Sequence, residues 1–177
     1  MRKIGYVPIL RFIKIGSVPI LLAFVAGCAG YSGSSLTPGQ STAAEVEAAM
    51  GKPALVREQP NGEKVYWYPR LPFGRQSFAA RLAADGRLVS IEQRLAPEYI
   101  ARIQPGKSTQ EDVLDLLGPP SDVWHYPRQQ REAWEYPLRK PPELKSLYVQ
   151  MSPDKVVREV YELDDRISHP FFGISLP

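Results

Sequence analysis

Cysteine and histidine are almost absent: the chain has one of the first, Cys28, and two of the second, His125 and His169. A single thiol excludes any disulfide within the chain. So few histidines, with the one cysteine, exclude clustered zinc ligands of the usual kind. No Gly-x-x-x-x-Gly-Lys phosphate loop, Gly-x-Ser-x-Gly elbow or His-Glu-x-x-His helix occurs, so the signatures of nucleotide, acyl-transfer and metallopeptidase chemistry are missing. His125 lies between Trp124 and Tyr126, a setting that an aromatic strand or loop explains. Glu45 and Asp112 sit where helix caps are expected rather than catalytic acids. The expectation is a protein that is not an enzyme and holds no cofactor or metal.

Long apolar runs are missing too. The run from Val18 to Ala26 falls well short of the ~20 residues that a helical membrane span needs. It follows Arg2, Lys3, Arg11 and Lys14, with no acid before it, which is the pattern of a secretory signal. The segment ends in Val25-Ala26-Gly27-Cys28, which resembles the bacterial lipobox, where small residues precede a cysteine that has received diacylglycerol through its sulfur. On that reading residues 1–27 are removed and Cys28 becomes the lipidated first residue, the link to the membrane. Ala29, rather than Asp, in second place resembles the signal for the outer membrane. The alternative is an unmodified thiol beside an ordinary cleavage site. Taking the four signal charges from the 22 basic residues leaves 18 against 19 acidic, a net charge of −1. The basic whole-chain balance therefore says nothing about nucleic acid, and no nucleic-acid partner is expected.

What the remaining residues hold is a repeat. Pro38-Gly39-Gln40-Ser41-Thr42 leads through Glu45-Val46 and Met50 to Gly51-Lys52-Pro53. Pro105-Gly106-Lys107-Ser108-Thr109 leads through Asp112-Val113 and Leu117 to Gly118-Pro119-Pro120, 67 residues later throughout. Such self-similarity marks two copies of one folding unit. Thr42 with Glu45, and Thr109 with Asp112, predict capping boxes. Val46, Ala49 and Met50, like Val113, Leu116 and Leu117, fall at i, i+3 and i+4, one face of a short helix. Gly51 and Gly118 suit the helix ends, and Pro53 and Pro120 prevent resumption. Strand-like runs follow at 65–68, 77–82 and 87–95, and again at 133–136, 147–151 and 156–163. Asp85-Gly86 and Pro153-Asp154 supply turns between the last two strands of each copy. A further helix over 97–103 opens on Pro97 and has no counterpart ahead of Pro38. The expected fold class is α+β: tandem units at 37–95 and 96–166, each one or two helices plus a three-stranded antiparallel meander. A tether at 28–36 precedes them and an apolar tail at 167–177 follows.

The Pro-Gly-x-Ser-Thr to Gly-x-Pro block, followed by Trp67-Tyr68-Pro69 and by Trp134-Glu135-Tyr136-Pro137, resembles the SmpA/OmlA family of outer-membrane lipoproteins, which includes BamE. The likeness covers most of residues 36–166 as a pattern and is stronger for the second copy. The family has one such unit, similar to half of the β-lactamase inhibitor protein fold, where this chain has two. It implies a noncatalytic, lipid-anchored protein of the outer membrane, facing the periplasm and supporting envelope integrity. Its partners would be protein subunits of the β-barrel assembly machine, and anionic phospholipid. The alternative is an inhibitor-like periplasmic protein that grips an enzyme through a concave surface made by the tandem sheets.

Trp67, Tyr68, Trp134 and Tyr136 could form a recognition surface, but their matched places in the two copies favour packing. The loops after the first strand-like run of each copy are the better partner candidates: Leu71 and Phe73 in one, Arg139 and Lys140 in the other. Proline there lowers the entropy lost on binding, and loops on a rigid scaffold carry recognition; the bland alternative is a solvated connector. Phe171 and Phe172, in the tail, either pack on a sheet or are displayed to a partner or bilayer.

Overall fold

The computed structural model describes residues 32–140 and 142–165. Cys28, Phe171 and Phe172 lie outside the described residues, as do the signal and the tail. Among the described residues the α-helices are α1 (Ala43–Met50), α2 (Pro97–Ile100) and α3 (Gln110–Leu117). The strands form two four-stranded antiparallel sheets in sequential order. Sheet one holds β1 (Leu55–Glu58), β2 (Lys64–Pro69), β3 (Ser77–Leu82) and β4 (Leu88–Gln93). Sheet two holds β5 (Asp122–Tyr126), β6 (Arg131–Lys140), β7 (Glu143–Met151) and β8 (Val157–Asp164). The fold is α+β in two units, with four strands per unit where the sequence reading expects three. The added strands, β1 and β5, are sheet edges paired on one side only, so backbone bonding suffices and no apolar run is needed to bury them.

Both expected capping boxes form. The Thr42 Oγ1 accepts from the Glu45 N–H at 3.4 Å, and the Glu45 carboxylate accepts from the Thr42 N–H at 2.7 Å. Thr109 and Asp112 repeat this at 3.2 and 2.7 Å. These bonds, the backbone one first, hold both carboxyls below their ordinary range. Gly51 and Gly118 then close α1 and α3 at φ 87° and 81°, a region that only glycine enters without Cβ strain. Helix α2 is a single turn, shorter than expected; Ile103, beyond its end, is nevertheless buried. Ahead of α1 stands a turn, in which the Leu36 N–H meets the Gly33 carbonyl and Leu36 packs on the first core.

Each helix buries one side on its own sheet. Val46 and Met50 meet Tyr68, Phe78, Leu82 and Leu88; Val113 and Leu117 meet Trp134, Tyr136, Leu147 and Val149. The repeat does not stay in step through the sheets. Leu55 pairs with Trp67, but Asp122, 67 residues after Leu55, pairs with Glu135, one residue past Trp134. The second copy thus carries one extra residue ahead of its second strand. A one-residue step turns a side chain to the opposite face. Trp134 consequently faces its own helix, whereas Trp67 faces away from α1, and its counterpart by position is Glu135.

That outward tryptophan joins the units. The Trp67 ring lies so close over Gly118 that a Cβ there would stand 2.3 Å from ring carbon Cε3. On the same face Arg57 pairs with Glu111 and Asp115 of α3 at 2.7 and 2.8 Å. The Tyr99 hydroxyl donates to Glu92 at 2.8 Å, and the Arg94 guanidinium sits 4.5 Å above the Tyr99 ring. The layers therefore run α1, sheet one, α2 with α3, sheet two. Trp67, Tyr68, Trp134 and Tyr136 are all at least 94% buried, so these aromatics pack.

Candidate partner-binding surface

The two segments singled out in the sequence as loops meet at one end of this stack, but only the first is a loop; the second, with Arg139 and Lys140, stays in strands because cross-strand pairing continues through it. Residues 70–76 connect β2 to β3, and their base is closed by the Arg70 N–H bonding the Gln76 carbonyl at 2.8 Å. Arg70 also reaches back to the Met50 carbonyl at 2.8 Å. From the second unit comes the β6–β7 hairpin, whose strands stay paired out to Lys140 and Glu143.

Arg75 ties the loop to the hairpin. Its Nη1 donates to the carbonyls of Leu138 and Lys145 at 3.2 and 3.3 Å, and its Nη2 pairs with Asp165. Asp165 in turn accepts from Ser146 Oγ at 3.0 Å. Charge-assisted bonds of this kind fix a loop more firmly than its own backbone can. Leu71, expected on the partner surface, is half-buried against the second core, pinning the loop from below. Phe73 at the loop tip is 96% exposed.

A groove of about 580 Å³ results, lined by Phe73, Arg75, Gln76, Arg139, Lys140 and Leu144, among others. Three expected residues, Phe73, Arg139 and Lys140, are thus brought together, and Leu71 is not. Lys140 binds Glu162 at 2.5 Å and Lys145 binds Glu143 at 2.9 Å, so both are largely neutralised locally. Hydrogen bonding to Glu143 also raises the Lys145 pKa. Arg139 is exposed and makes no ion pair among the described residues. The surface offers two apolar anchors, Phe73 and the half-exposed Leu144, beside one available guanidinium, and it contains no acid–base or nucleophilic constellation. Sequence reasoning missed Arg75, because a lone arginine after a glycine carries no pattern that marks it as a clamp.

No family model matches the chain, and no curated protein matches it. Among solved structures it is similar to a DUF4309 family protein (YjgB) from Bacillus subtilis, at 20% identity over 75% of this chain and 84% of that one, with a TM-score of 0.29. A likeness that slight carries no argument about function.

Proposed function

We propose that the protein is a noncatalytic lipoprotein of the SmpA/OmlA/BamE type, anchored in the outer membrane through Cys28 and facing the periplasm. Its partners are protein subunits of the β-barrel assembly machine, with anionic phospholipid as a second contact for Arg139. The observation that carries this reading is Phe73, a fully presented aromatic on a loop that Arg75 and Leu71 hold still. Aromatic anchors on preorganised loops concentrate binding energy because little conformational freedom is lost on docking. The lipobox and the duplicated block support the location and the type. The inhibitor-like alternative requires both sheets to share a concave face. Sheet one has its outer face partly covered by α2 and α3, which weighs against that reading.

A photo-crosslinking residue at position 73 in cells tests the reading. Recovery of assembly-machine subunits, reduced by Arg139→Glu and abolished with membrane attachment in Cys28→Ser, is the expected result. Crosslinks that never include such a subunit, or Cys28→Ser protein that stays with the membrane, would overturn it.

A further inference from the structure

The seam between the units does not close completely. Between the outer face of sheet one and α2 lies a cleft of about 660 Å³, walled by Trp67, Arg81, Glu92, Arg94, Tyr99 and Arg102 among others. Past Arg94, Arg102 and Asp115 it runs into a second hollow of about 440 Å³ that Lys107 also lines. Clefts of several hundred Å³ at the junction of two units are the common setting for small-ligand and peptide sites.

The acids around this cleft are engaged. Glu63 accepts from Arg81 at 3.4 Å and Asp115 from Arg57 at 2.8 Å. Glu92 accepts from Ser90, Tyr99 and Arg94 at 2.9, 2.8 and 3.1 Å. Asp112 is committed to its cap at 2.7 Å. Donors, by contrast, are left over. The Trp67 indole N–H and the Arg94 Nε–H are buried and meet no acceptor among the described residues. Arg102 and Lys107, both exposed, form no ion pair among the described residues. The Arg94 guanidinium lies 4.5 Å from the Tyr99 ring and 6.0 Å from Trp67, and with one nitrogen paired to Glu92 it keeps its other terminal nitrogen for a second carboxylate. With Arg102 and Lys107 unpaired at its walls, the cleft favours a guest that brings negative charge.

We infer that the inter-unit cleft is a binding site for a carboxylate, gripped by Arg94 and Arg102 beside the Trp67–Tyr99 wall. The carboxylate belongs either to an acidic side chain of a peptide or to a free small molecule. The site is separate from the Phe73 groove and does not rest on the function proposed for it.

Calorimetric titration of the full chain in detergent micelles tests this with two probes, citrate and a blocked Ala-Glu-Ala-Glu-Ala peptide, against the glutamine version of that peptide. Saturable binding of at least one acidic probe is expected, weakened about tenfold or more by Arg102→Gln. Arg139→Gln, at the other groove, should leave it unchanged. Nitrogen NMR of the arginine Nε–H groups supplies a readout independent of affinity: Arg94 should shift on binding. Peptide binding alone assigns the carboxylate to a protein partner, and citrate binding alone to a free ligand. No saturation by either probe up to about 10 mM, or equal binding by Arg102→Gln protein with an unmoved Arg94 signal, overturns the proposal.

Discussion

Gly51 and Gly118 close equivalent helices at nearly equal φ, yet one faces open space and the other the ring of Trp67. The same Gly-x-Pro sequence thus has a backbone role alone in the first copy and a backbone role plus a packing role in the second. A repeat is identical only as far as its own chain; what lies against it makes the copies differ.

The largest test of this comparison sets Trp67→Ala against Trp134→Ala. Both side chains are buried, so each loss should destabilise by about 3–5 kcal/mol. They should differ in form. Trp67→Ala removes the main apolar contact of the seam and leaves the Arg57 and Arg75 bonds, so differential scanning calorimetry should then resolve two transitions; Trp134→Ala should leave the first unit's melting intact. A single cooperative transition in the Trp67 variant would count against a seam built on that ring.

Next comes the glycine pair. Gly118→Ala meets both a left-handed backbone and the indole ring, whereas Gly51→Ala meets the backbone strain only. Denaturant titration should find about 1–2 kcal/mol for Gly51→Ala and clearly more for Gly118→Ala, with the excess relieved when Trp67→Ala is added. Additive effects in that double mutant would break the comparison.

Arg57 links sheet one to α3 through carboxylates that are 71% and 47% exposed. Arg57→Ala should therefore destabilise by no more than about 1 kcal/mol, and less in high salt. The smallest effect is acid sensitivity of the caps. Glu45 and Asp112 titrate lower in the folded chain than in the unfolded one, so their stabilisation is present above the ordinary carboxylate range. It is lost as pH falls through the lowered folded values. Glu45→Gln and Asp112→Asn together should flatten the fall in melting temperature below about pH 4, and an unchanged slope would deny the caps that role.

Much of each unit was legible because its signals are local. Thr42 and Thr109 mark the helix starts, Gly51 and Gly118 the ends, and the spacing of Val46 and Met50 gives the buried face. Edge strand β1 was not, since Leu55–Glu58 is short and half its residues are charged, and β5, around His125, reads as either strand or loop. The facing of Trp67 was also hidden. Aligned as motifs, Trp67 and Trp134 look alike, and only the pairing of Leu55 and Asp122 shows that one extra residue has turned them to opposite sides. Of the partner surface, loop composition pointed to Phe73, Arg139 and Lys140. Their meeting in one groove depends on contacts between the units that no single copy encodes.

The place that Trp67 holds on sheet one is held on sheet two by Glu135, whose carboxylate accepts from the Trp124 indole at 2.7 Å. One strand register thus puts equivalent outer positions to two uses, a ring packed between the units in sheet one and a buried, hydrogen-bonded carboxylate in sheet two.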